Sequence, residues 1–299
     1  MKLALKVNKL VIIGCACLSL AIWGCGVRET DVSKLKLQKA RVDDIEIAYK
    51  TFGRGRPLLL IMGFGSTMDM WDPKVLTKLA GHYQVTIFNN RGMGSSTATE
   101  KEFNIGLFAE DTAGLLGALN IKKADVLGFS MGTNIALEFA LRYPEMVDKL
   151  VLYAGDCGGK ESVQPDEETE KQLFDTSGTP RERDERMIKL IFPERWLKDN
   201  PDLRKYLPKV TETTSPGLID RQAKAMTTWE GCYNRLNNLT LPVLLITGTE
   251  DVLTPPQNSL ILANRISLTW LVQFKGAGHG LMYQEPEKFS KIILTFLND

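Results

Sequence analysis

Apolar residues follow two rhythms along this chain, and the change falls near Arg56. Before it, "LKLQKARVDDIEIAYKTFGRG" alternates apolar and polar positions around Asp43 and Asp44, the pattern of a hairpin with one face in water. After it, apolar residues come in unbroken runs: "LLLIM" (58–62), "VTIF" (85–88), "DVLGF" (125–129), "LVLYA" (150–154), "VLLIT" (243–247) and, last, "TWLVQF". Helical stretches such as "GLFAEDTAGLLGALN" and "TNIALEFALRYPE" stand between them. Strands that are apolar at every position are buried on both faces, and the intervening helices supply the covering layers. The pattern predicts an α/β domain built on a parallel sheet.

One region breaks the rhythm. Residues 156–235 contain "GGKESVQPDEETEKQ", "GTPRERDERMIKLIFPERWLKDNPDLRKYL" and "PGLIDRQAKAMTTWEGCYNRL", charged and helix-prone with no strand-like run. Ile188, Leu190, Ile191, Phe192, Trp196 and Leu197 carry too much apolar surface for a disordered linker, so the region predicts a helical cap over one end of the sheet. The core then has two parts, residues 38–155 and 236–299, preceded by a polar tether over 26–37.

Within this frame "ADVLGFSMGT" places Ser130 at a strand-to-helix turn, between Gly128 and Gly132. A sharp turn of this kind exposes a serine hydroxyl and leaves no room for side chains on the flanking positions, which is a reason for glycine at both. A hydroxyl is a weak nucleophile and needs a base. The chain has two histidines: His82, before a strand, reads as an ordinary surface or turn residue. His279 sits in the glycine-rich loop "GAGHG" after the last strand-like run and is the candidate base. The acid that orients it is Asp251 in "TGTEDVLTPP", just past a buried strand; Asp156, after "LVLYAG", competes because it also lies at a strand end.

Taken together, "IMGFG", "NNRGMGSS", "GFSMG", "TGTEDVLTPP" and "GAGHG", with Ser, Asp and His in that order, resemble the α/β-hydrolase fold family from about residue 38 to the C-terminus. The resemblance implies an eight-stranded, mostly parallel sheet, with the cap inserted before the strand that precedes the catalytic acid. It also implies an oxyanion hole formed by the backbone N–H groups of Phe64 and Met131. Two departures stand out. Met62 occupies the position where family members often have histidine, and Asn90 the position where they often have aspartate, so a bond bracing the oxyanion loop is expected to be missing. Serine at the elbow disfavours the epoxide and halide chemistry of relatives that carry aspartate there.

Composition narrows the rest. With 37 basic and 36 acidic residues the chain has a formal net charge of +1, which offers no field to attract nucleic acid. Two isolated histidines, no C-x-x-C and no phosphate-cradling glycine loop leave no metal or cofactor site, and the expected partner is a small-molecule acyl substrate. Met62, Leu253, Leu281 and Met282 flank the catalytic loops, while Met226 and Trp229 lie in the part of the cap expected to face them; these residues are either core or the wall of an apolar pocket. The favoured reading is hydrolysis of an uncharged carboxylic ester. Cofactor-free perhydrolysis, the activity reported as haloperoxidase in relatives, and a binding or signalling module with little turnover are the alternatives.

The first 25 residues are a separate object. "MKLALKVNKLVIIGCACLSLAIWGCG" puts three lysines ahead of an apolar run of about fifteen residues and ends in a small residue and a cysteine, the layout of an export signal. "AIWGC" resembles a bacterial lipobox, which implies a lipid on Cys25 and attachment to a membrane of the cell envelope. An ordinary signal peptide and an uncleaved anchor are the other readings. Removal of the signal leaves Cys157 and Cys232 near the two ends of the cap, either paired in a disulfide or packed as small apolar residues.

Overall fold

The computed structural model describes residue 31 and residues 34–299. The export segment and Cys25 therefore lie outside the described residues. Eight strands form one sheet: β1 (Gln38–Val42), β2 (Ile45–Gly53), β3 (Arg56–Ile61), β4 (Tyr83–Phe88), β5 (Ala124–Phe129), β6 (Val147–Tyr153), β7 (Val243–Gly248) and β8 (Thr269–Phe274). Their order is β1-β2-β4-β3-β5-β6-β7-β8. The pairs β1/β2 and β2/β4 are antiparallel and the other neighbours parallel. Val42 faces Ile45 in the first hairpin, so Asp43 and Asp44 form its turn, with Asp43 at φ 47°.

The helices between strands are α1 (Pro73–Ala80), α2 (Ile105–Ala118) and α3 (Met131–Arg142). Between β6 and β7 come α4 (Glu167–Phe174), α5 (Pro180–Ile191), α6 (Glu194–Asp199) and α7 (Pro216–Thr227), which make up the cap. The chain ends with α8 (Gln257–Arg265), α9 (Leu281–Gln284) and α10 (Pro286–Asn298). The unbroken apolar runs now have a physical cause. Leu59, Ile61 and Val126 pack into one layer, with α2 and α3; Leu58, Leu60 and Leu127 pack into the opposite layer, with α1 and α10. Both faces of a strand are thus dry, and alternation would place polar atoms in a core.

Parallel register aligns the strand ends. Ile61 pairs with Gly128, Phe129 with Tyr153, Tyr153 with Ile246, and Gly248 with Phe274. The segments leaving β3, β5, β7 and β8 consequently emerge along one edge of the sheet, the usual place for a site in an open α/β fold.

The cap is held by its apolar residues. Leu190 and Phe192 are buried, Phe192 stacks on Trp196 with ring centroids 4.6 Å apart, and it also packs against Tyr283 of α9. The two ends of the insertion return side by side, where the Cys232 N–H donates to the Cys157 carbonyl at 2.8 Å. Both cysteines are free and buried. Unpaired, they pack here as small apolar groups, and burial pushes both thiols above their ordinary range. Among the described residues no helix is long and apolar enough to cross a membrane.

Candidate active site

Local sterics build the elbow. Ser130 follows β5 at φ 55° and ψ −123°, and α3 begins at the next residue. Such a conformation costs of order 1–3 kcal/mol and persists only where its surroundings hold it. Here the Ser130 N–H donates to the Tyr153 carbonyl at 2.9 Å, and the Ser130 carbonyl accepts from the Thr133 N–H at 2.7 Å. A Cβ at Gly132 would lie 2.1 Å from the Ile61 carbonyl oxygen, and one at Gly128 would lie 2.4 Å from the Gly132 carbonyl oxygen. Glycine at these two positions lets β3, β5 and α3 close on the turn and push the serine outward.

Asp251 and His279 come together from the loops after β7 and β8. Nδ1 of His279 lies 2.9 Å from Asp251 Oδ2. The other carboxylate oxygen accepts the N–H groups of Leu253 at 3.0 Å and Thr254 at 2.8 Å, so the loop backbone sets its direction. Both side chains are buried. The Tyr153 hydroxyl donates to the His279 carbonyl and accepts the Met282 N–H at 3.2 Å. Burial pushes that hydroxyl well above its ordinary range, which keeps it a donor. The residue before Ser130, Phe129, places its ring 5.0 Å from the imidazole. Among the described residues no hydrogen bond links the serine hydroxyl to His279. Catalytic bonds of this kind commonly tighten only in the substrate complex.

Asp156 is elsewhere. Its carboxylate accepts the Gly158 N–H at 2.7 Å and sits near Asn134 and Ser162, where it anchors the start of the cap. Burial pushes its carboxyl up. His82 is exposed at the opposite end of β4.

The loop after β3 lies directly on the elbow. A Cβ at Gly63 would be 3.0 Å from the Ser130 Cβ. The loop has a brace of another kind than a histidine side chain at position 62 would give: Asn90 Nδ2 donates to the Met62 carbonyl at 3.0 Å. Asn89 Oδ1 accepts the Met68 N–H at 2.7 Å. Farther along, Asp69 Oδ2 accepts the Thr211 and Glu212 N–H groups at 2.6 and 3.1 Å. Burial alone would raise the Asp69 carboxyl, but hydrogen bonds from Thr67, Thr211 and Glu212 hold it below its ordinary range. The N–H groups of Phe64 and Met131 donate to no other described group.

The candidate pocket residues separate into groups. Met62, Leu281 and Met282 are fully buried in the layer that contains α1 and α10, so they support the loops from beneath instead of lining an open pocket. Met226 is partly buried, in the layer that also takes Phe64. Leu253 is partly exposed beside Asp251. Trp229 is drawn away from the loops: its indole N–H donates to Glu138, two turns down α3 from Ser130, at 3.0 Å. Two residues absent from the sequence reading do border the site. Phe174 of α4 meets the Phe64 ring edge-on, with centroids 5.8 Å apart, and Ile219 of α7 approaches Gly65.

A sheet of this topology with an elbow serine and a buried acid–imidazole pair at its carboxyl edge defines a hydrolase architecture. The family model for the alpha/beta hydrolase fold matches residues 56–286, and the chain belongs to that family. The Mycobacterium tuberculosis protein that carries the name non-heme bromoperoxidase BpoC is 31% identical over 261 residues, covering 84% of this chain and 97% of its own. Among solved structures, the enol-lactonase from Burkholderia xenovorans LB400 superposes with a TM-score of 0.75 at 21% identity, covering 88% of this chain and 100% of its own. A thermophilic esterase from Thermogutta terrifontis gives a TM-score of 0.74 at 24% identity, with coverages of 88% and 98%. Both structural likenesses concern the fold.

Proposed function

We propose that the protein is a serine hydrolase that cleaves a small to medium, uncharged carboxylic ester, or a related acyl bond, through an acyl-enzyme on Ser130. The reading is carried by the 2.9 Å contact between Asp251 and His279 Nδ1 at the edge where the strained Ser130 emerges. Asp251 favours the tautomer with the proton on Nδ1, which leaves Nε2 as the base. Nε2 takes the Ser130 proton as Oγ adds to the acyl carbon, and returns it to the departing alkoxide. The N–H groups of Phe64 and Met131 receive the oxyanion, each worth roughly 3 kcal/mol in the barrier. Water, deprotonated by the same imidazole, then attacks the acyl-enzyme, releasing a carboxylic acid and restoring the serine hydroxyl. The apolar collar of Phe64, Phe174 and Ile219 supports an uncharged substrate.

A fluorophosphonate probe is expected to label Ser130, as located by peptide mass spectrometry, and a panel of p-nitrophenyl esters to be turned over. The absence of both labelling and turnover across the panel would exclude the reading. The bromoperoxidase-named relative favours a second one, in which hydrogen peroxide replaces water at the same acyl-enzyme and a peracid leaves. Peracid formation from an acyl donor and peroxide, outpacing hydrolysis, would establish it.

For residues 1–25 the proposal is export and lipid attachment at Cys25, carried by the lysine-led apolar run and "AIWGC". Mass spectrometry of protein made in a bacterial host should find a mature chain beginning at lipidated Cys25. An intact Met1 on soluble protein would end that proposal.

A further inference from the structure

The cap is bonded at a buried point to the peptide that follows Phe64. Gln222 of α7 has no exposed surface, and its Oε1 accepts the Gly65 N–H at 2.6 Å. The donor is a backbone N–H, so the amide must present its oxygen to it, and Nε2 is left pointing elsewhere. That nitrogen is buried with no hydrogen-bond partner. A buried amide with an orphaned donor is less stable than an apolar side chain of the same size would be. Packing therefore does not explain glutamine at this position, whereas the bond to Gly65 does.

Gly65 immediately follows Phe64 and sits at φ +64°. Holding its N–H fixes the peptide between the two residues and, with it, the rotation of the Phe64 backbone. On the other side of Phe64, Asn90 holds the Met62 carbonyl. The loop is thus pinned on both flanks, once by the core and once by the cap.

Helix α7 is itself well placed to act as a fixed support. Arg221, next to Gln222, donates to the Thr99 carbonyl at 2.8 Å and lies 3.9 Å over the Phe103 ring. Ahead of the helix, the Gly94 N–H donates to Thr214 Oγ1 at 3.0 Å, and Glu212 accepts from Asn89 and the Ser95 N–H at 2.7 and 2.8 Å. The segment from Thr211 to Gln222 is a clasp, and its last link reaches the loop that carries Phe64.

We infer that Gln222 is a positioning residue of the oxyanion hole, so that the cap completes the hole as well as covering it. The inference rests on the proposed role of the Phe64 N–H. An apolar residue at position 222 would leave the protein folded but free the Gly65 peptide, and a donor displaced by a fraction of an ångström loses much of its effect on the transition state.

The test compares Gln222→Met and Gln222→Leu with the conservative Gln222→Glu, which keeps an acceptor oxygen, in full-length protein. With a p-nitrophenyl ester, Gln222→Met and Gln222→Leu are expected to lower kcat by about 10- to 100-fold with KM within about twofold, and to weaken a trifluoromethyl ketone by a similar factor. Binding of the product carboxylate should be unchanged, and the Tm of both variants should equal or exceed that of the wild type. Gln222→Glu should recover most of kcat. Unchanged kcat in folded Gln222→Met and Gln222→Leu, a change in KM alone, or equal weakening of ketone and product would overturn the inference, with labelling of Ser130 by a fluorophosphonate still standing for the hydrolase reading. Failure of the wild type to label at Ser130 would overturn both.

Discussion

Replacing Ser130 or His279 by alanine is expected to lower kcat by roughly 10⁴- to 10⁶-fold, and the double variant should be little worse than either single one. Non-additivity is the sharper half of this result. A serine without its base and a base without its serine each remove the same acyl-transfer step, so the second deletion has little left to remove. Asp251→Asn should cost about 10⁴-fold, because an amide at that site no longer favours the imidazole tautomer that accepts the serine proton. The partners predict the contrast with Asp156→Asn. Asp251 touches Nδ1 of His279, whereas Asp156 accepts the Gly158 N–H at the root of the cap. Asp156→Asn should therefore leave kcat within a few-fold of wild type in any protein that folds. Steady-state ester hydrolysis by these five variants checks all of this, and substantial turnover by Ser130→Ala would remove the serine from the mechanism.

Arg91→Met is expected to cost about 3–5 kcal/mol of stability and to lower Tm by roughly 10 °C. The Arg91 side chain is wholly buried. Its Nε and Nη2 meet the two oxygens of Asp111 at 2.8 and 2.6 Å, and Nη2 also reaches Asp44 at 2.9 Å. This charge joins the loop after β4, α2 and the first hairpin. The Arg91 guanidinium is the main reason that the Asp44 carboxyl is held far below its usual range. The loss comes mostly from stranding Asp111, which is itself buried, without a counter-ion. Arg91→Met combined with Asp111→Leu should accordingly recover more than half of the stability lost in Arg91→Met alone. Denaturant unfolding of the single and double variants measures both, and a single variant within about 1 kcal/mol of wild type would show that the pair is not what holds the hairpin.

Features that depend on neighbours in the chain were legible from its letters. Runs such as "LLLIM" are apolar throughout because β3 has a dry layer on each face, and the alternation about Asp43 marks a hairpin with a wet side. The glycines around Ser130 were legible for the same reason, since the clashes they avoid arise within a few residues of the turn or with the strand beside it. The order of Ser130, Asp251 and His279 pointed to loops at one sheet edge. Parallel register then brought Asp251 and His279 into contact.

The cap was harder to read. Its apolar residues signalled an ordered region, but a helix can turn the same side chain toward a pocket or toward the core. Met226 and Trp229 illustrate the difference: both were candidates to face the catalytic loops, yet the indole of Trp229 is held by Glu138 on α3. Met62, Leu281 and Met282 lie beneath the loops because α1 and α10 cover that layer, a fact that no local pattern encodes. Phe174 and Ile219, which do approach the loop after β3, sit in stretches whose charge hid them.

By itself, then, the sequence determined the α/β class, the strands, the elbow and the three loops proposed to carry the hydrolytic chemistry, because periodicity and steric demand act over a few residues. Only the tertiary structure decided which side chains brace those loops and which way the cap faces. Asn90 under Met62 and Gln222 on Gly65 are contacts across 28 and 157 residues of chain. The energy of such a bond depends on where packing delivers its two ends, and that is a property of the whole fold.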